Sequence, residues 1–132
     1  MHQFLRLTNA TLFLSLLYFY FFTDKNVCEL ILATMLVMSI VTSQIFWSNP
    51  VKGSDIHICD AILAKLTIFS FIIYTFWKQG FLWSYMFVLC CVAVSFYYSN
   101  LYSSMEWCSN EHIKSHGLLH YFCFMATFFA FI

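Results

Sequence analysis

Near the end of the chain, in the run HIKSHGLLHY at 112–121, three histidines stand four residues apart: His112, His116 and His120. On a helix, residues four apart have Cβ atoms about 5–6 Å from each other. Two such imidazoles can meet one metal ion through bonds of about 2.0–2.1 Å. The outer pair, His112 and His120, is separated by about 12 Å along a helix axis, so the three do not share one ion. One pair can bind, with a further ligand from another segment; His116 and His120 lie deeper in the run and are the expected pair, with His112 left at the interface. Two interfacial histidines hydrogen-bonded to their neighbours would show the same spacing.

Other polar residues add to this pair. Asp60 lies in SDIHICDAILAKLTIF at 54–69. A carboxylate there can sit in a first helical turn, favoured by the helix dipole. One turn further in, it can bind a metal, orient a ligand histidine or act on a metal-bound water. His57 stands one turn before it. Lys65 follows, most simply as a lysine whose stem lies along apolar surface while its charge reaches for water, otherwise as a charge partner for a polar cavity. Ser43, in SQIFW at 43–47, is of a type that packs helices in membranes. Cys108 and His112 repeat the i,i+4 spacing across a joint.

These residues must be positioned by very apolar elements. Apolar residues make up 62% of the 132 and charged residues only 9%, against about 25% charged in soluble domains. The mean hydropathy is +0.79. Such a chain cannot cover a water-facing surface, and lipid is its expected solvent. Net charge is zero, so there is no basic patch to neutralise phosphates and nucleic-acid binding is not expected. The six cysteines form no CxxC pair and are expected to be buried small hydrophobes.

Five runs are long enough to cross a hydrocarbon core, which takes about 17–25 residues. They cover 4–22, 27–47, 57–77, 81–102 and 113–132, separated by short polar joints that hold Pro50, Gly53 and Gly80. The fold class is all-α: one polytopic membrane bundle of about five transmembrane helices, antiparallel between neighbours. The runs show neither interruption nor internal repeat, which disfavours a transporter. The first lacks a small-residue cleavage site and is expected to remain as a span. Threading brings the end of the second span and the starts of the third and fifth to one membrane face. That gathers Ser43, His57, Asp60, His116 and His120 at one depth, as a shared polar cavity requires. The same face holds Arg6, Lys52 and Lys114, against Lys25 and Lys78 opposite. The positive-inside rule then places the N-terminus in the cytoplasm.

Together these segments resemble the superfamily of alkaline ceramidases, adiponectin-type receptors and hemolysin-III-type proteins. There one helix ends in Ser-x-x-x-His, the next begins with Asp, and the last carries His-x-x-x-His. SQIFW (43–47), Asp60 and SHGLLH (115–120) look like these three elements in order. The resemblance implies a zinc ion held by three histidines, with zinc-activated water hydrolysing a lipid amide or ester. Ser43 would then be an oxyanion donor, Asp60 a proton-transfer group, and a membrane lipid the substrate. Two departures stand out. Trp47 occupies the place of the first histidine, so either His57 supplies the third ligand beside His116 and His120 or the site is incomplete. The chain also has about five helices where the family has seven. Three functions follow as expectations: a zinc-dependent lipid hydrolase, a non-catalytic relative with a structural histidine or metal cluster, or a small histidine-based proton channel or transporter component. The sequence leaves the oligomeric state open.

Overall fold

The structure, a computed structural model, describes residues 2–132. Helices α1 (His2–Ala10) and α2 (Phe13–Phe22) form the first rod. Then come α3 (Val27–Ser48), α4 (Asp55–Gln79), α5 (Trp83–Met105) and α6 (Asn110–Phe131). The expected all-α bundle is thus present, with each run within a few residues of its sequence bounds. Four rods, His2–Phe22 and helices α3 to α5, are long and apolar enough to cross a membrane. The fifth, α6, has the length but carries the polar HIKSHGLLH stretch. It can do so because it is the hub of the bundle, packed against α1, α2, α4 and α5. Polar side chains on an inner helix meet protein, where on an outer one they would meet lipid.

The polar joints set the helix ends. Asn26, Ser54 and Ser109 cap α3, α4 and α6, each side chain accepting a backbone N–H three residues on, which satisfies a donor with no partner inside the helix. Gly80, at φ +70°, ends α4 in a backbone conformation that side chains disfavour.

The first rod departs from the sequence expectation of an uninterrupted span. Between α1 and α2 the hydrogen bonds shorten from i−4 to i−3: Thr11 N–H reaches Thr8 O at 3.2 Å and Leu12 N–H reaches Asn9 O at 3.1 Å. The Thr11 hydroxyl also donates to Thr8 O at 2.6 Å. Hydroxyl back-bonding of this kind competes with the helical ladder and bends it. Asn9 donates to Ile40 O of α3 at 3.1 Å, and Ser15 pairs with Thr127 of α6 at 2.9 Å. The break therefore lies where the rod is held by polar contacts on two sides.

Three apolar clusters fill the interior. One joins α2, α3, α4 and α6 around Leu36, Phe71 and Phe131. A second lies between α5 and α6 around Tyr85 and Ala126. The third gathers Leu5, Phe46, Trp47 and Ile113 at the face where α3 ends and α4 and α6 begin, which is the convergence inferred by threading. The cysteines depart from expectation: Cys28, Cys59 and Cys90 are exposed and the other three half-buried. A thiol is apolar enough to face lipid, so its position carries no packing requirement.

Helix α1 comes close to α6 at Gly117, where a Cβ would stand 2.6 Å from the Phe4 ring. Phe4 is 47% exposed, so its ring can swing aside for a methyl group but not for a branched side chain. Gly117→Leu should destabilise the bundle by about 1–3 kcal/mol, and adding Phe4→Ala should recover much of the loss in thermal unfolding in detergent.

Candidate functional site

The candidate site is built around α6. His112 and His120 are 2% and 8% exposed. The His112 and His116 ring centres are 5.8 Å apart, and those of His116 and His120 4.8 Å. Buried imidazoles need partners, and the neighbouring helices supply them. Ser99 Oγ of α5 lies 2.8 Å from His116 Nδ1, and Thr8 Oγ1 of α1 lies 2.9 Å from His120 Nδ1. The Thr8 hydroxyl also reaches Leu5 O at 3.1 Å. The same oxygen stands against His120 Nδ1, and which of the two donates there is set by the His120 tautomer.

His112 and His57 are held differently, and alike. Each is the third residue of its helix, with Ser109 or Ser54 as the cap accepting its backbone N–H. In return, His57 Nδ1 accepts the N–H of Gly53 at 2.9 Å and His112 Nδ1 accepts that of Cys108 at 3.1 Å. Both donor residues have positive φ, 79° at Gly53 and 59° at Cys108. This is a reciprocal cap of the Ser-x-x-Glu type, with imidazole in place of carboxylate and the return bond one residue earlier. The repeated patterns GSDIH (53–57) and CSNEH (108–112) are its sequence signal. A backbone donor on Nδ1 fixes the proton on Nε2 in both rings. Burial also pushes the Cys108 thiol above its usual pKa, so Cys108 is a poor thiolate ligand at neutral pH.

Trp47 fills the centre. It is 1% exposed, with its ring centre 5.0 Å from that of His116 and 6.1 Å from that of His112. Trp107 lies parallel to it at 6.2 Å and donates its indole N–H to Pro50 O at 3.3 Å, tying the two joints of this face together. Phe46 stacks on His57 at 4.8 Å. Among the described residues the buried Trp47 indole N–H finds no acceptor.

The site residues expected from the sequence therefore separate. His116 and His120 are brought together. His57, expected as the third metal ligand, is a helix cap stacked on Phe46; both of its ring nitrogens are committed, one accepting and one protonated. Asp60 turns toward α3, where Thr42 Oγ1 stands 3.4 Å from its carboxylate. Among the described residues no hydrogen bond joins it to a histidine. Ser43 is buried in α3 at 5% exposure. Among the described residues no group of three or more His, Cys, Asp or Glu side chains is placed to hold a metal ion. Zinc in a three-ligand site accordingly does not fit the donor set. Two openings, about 380 and 270 Å³, are grooves between α3 and α4 and along α3, the first lined by residues such as Ile31, Tyr74 and Trp77. None of the residues lining them belongs to the histidine cluster.

A second polar cluster at the opposite face went unrecognised in the sequence. Glu29 is 3% exposed and pairs with Lys78 at 3.0 Å. Tyr74 donates to the same carboxylate oxygen at 2.9 Å, and Lys78 also reaches Ala130 O at 3.2 Å. It joins α3, α4 and α6 at their other ends.

No protein-family model, curated protein or solved structure matches the chain.

Two outcomes follow from these bonds. His57→Ala should cost about 1 kcal/mol through loss of the cap. His57→Gln, which keeps an acceptor at the same position, should cost less than half of that in thermal unfolding. Thr8→Val leaves the buried Nδ1 of His120 without its partner and should destabilise by about 1–3 kcal/mol, read as a lower midpoint in the same measurement.

Proposed function

We propose that the chain is a non-catalytic multi-pass membrane protein in which the histidine cluster joins helices. The observation that carries this is the burial of Trp47 against His116 and His112, in the space a third ligand and a substrate carbonyl would need. An indole cannot take the place of an imidazole lone pair, because its nitrogen is a donor only. Each α6 histidine is already used: His112 closes a cap, His116 ties α6 to α5, and His120 ties α6 to α1. The resemblance to the ceramidase and adiponectin-receptor superfamily is, on this proposal, kinship of motif without its hydrolytic chemistry.

A zinc-dependent lipid hydrolase would need Ser43, Asp60 and a third nitrogen around one pocket, and a proton channel would need three rings free to exchange protons. The cap at His112 and the filled centre favour neither. The N-terminus and the joints after α3 and α5 are proposed to face the cytoplasm, from their larger share of lysine and arginine.

Purified protein in detergent distinguishes these functions. His116→Ala should lower the unfolding midpoint, and the wild-type protein should neither retain stoichiometric zinc nor turn over a short-chain ceramide or a lipid ester. Zinc-dependent turnover that disappears in His116→Ala would overturn the proposal.

A further inference from the structure

The outer face of α4 carries a charge that the bundle does not answer. Lys65 lies ten residues into this 25-residue helix, about 15 Å along its axis and near the middle of the span. It is exposed. Ile62, Leu66 and Phe69 around it are 55%, 56% and 63% exposed. Among the described residues it makes no ion pair or side-chain hydrogen bond, the only pairs being Lys78–Glu29 and Lys114–Glu111. It does not face the histidine cluster. Only 17% of the α4 span is buried inside the bundle, the smallest share of the four.

A charged group at mid-membrane is costly and normally faces a protein partner, not lipid. The lysine stem can carry its ammonium toward the N-terminal end of α4, but from the middle of the span that shortens the depth without reaching the interface. The histidine cluster and the Glu29–Lys78 pair find most of their partners within the chain, and Lys65, among the described residues, finds none.

A second copy of the chain does not supply the missing charge. Its six carboxylates are Asp24, Glu29, Asp55, Asp60, Glu106 and Glu111. Five lie in joints or in the first turns of helices. Asp60, the deepest, is about 7.5 Å nearer the face than Lys65 and is turned to Thr42 of its own α3.

We propose that the outer face of α4 docks a different membrane protein, through a transmembrane helix that carries an Asp or Glu near its midpoint. Lys65 pairs with that carboxylate, and the apolar side chains of Ile62, Leu66 and Phe69 pack beside it. Charge selects the partner and its depth, while the apolar face supplies contact area.

The test uses the full chain, fluorescently labelled, in phosphatidylcholine vesicles with Leu/Ala-rich transmembrane peptides as probes. One peptide has Glu at its midpoint, one Gln and one Lys. Energy transfer should show the Glu peptide binding the wild-type protein about tenfold more tightly than the Gln peptide. Lys65→Leu should abolish that preference without lowering the unfolding midpoint, since the residue is exposed. Lys65→Glu should shift the preference to the Lys peptide. Equal binding of the Glu and Gln peptides to the wild-type protein would overturn the proposal. So would self-association of the chain that Lys65→Leu removes, which would make a second copy the occupant. Loss of the Glu preference when phosphatidylglycerol is added at one lipid in five would instead assign Lys65 to anionic lipid.

Discussion

A polar group buried in a bundle this apolar, four of whose rods are long and apolar enough to cross a membrane, needs a partner from a neighbouring helix. That constraint explains most of what holds this chain together. Ser99 serves His116, Thr8 serves His120, Thr127 serves Ser15, and the backbone of α3 serves Asn9. Each pair ties together segments distant in sequence, and three of the four end on α6. The central helix is the most polar of the long rods because its partners surround it. The outer helices present mainly apolar faces, with Lys65 of α4 the exception.

The bonds at each end of the bundle differ in kind. At the face where α3 ends, aromatic rings dominate: Trp47, Trp107, Phe46 and three imidazoles pack edge and face within about 6 Å of one another. At the other face an ion pair dominates, with Glu29 accepting from Lys78 and Tyr74. Among the described residues, an indole N–H without an acceptor and one free oxygen of Glu29 are the residual polar atoms of the two clusters. Both stand beside groups that are otherwise fully used.

Much of the fold was legible in the sequence because apolar run length and short polar joints leave few choices. The same threading correctly put the ends of α3, α4 and α6 on one face. The site was harder to read. Spacing of four residues marks His112, His116 and His120 as neighbours on a helix, but it does not distinguish a ligand from a cap. The distinguishing signal was the serine three residues before His57 and before His112, which makes both of them capping residues. The break at Thr11 was hidden because neither proline nor glycine marks it; a threonine hydroxyl bonding back to Thr8 O does the work. The Glu29–Lys78 pair spans 49 positions, a separation at which no local pattern can announce a contact. Trp47 was the most informative departure from the resemblance: a large donor-only ring stands where a ligand was expected, and the bundle closes around it.

Tautomers offer the most direct test, because metal binding and structural pairing require different protons. Nitrogen-15 spectra of histidine-labelled protein in lipid bilayers near neutral pH report which ring nitrogen of each histidine carries hydrogen. The structural role of these rings predicts protonated Nε2 in His57 and His112, with no change in any histidine when zinc is added. Protonated Nδ1 in His57, with its Nε2 signal shifted by zinc together with those of His116 and His120, would contradict the structural role of these rings and restore a metal centre.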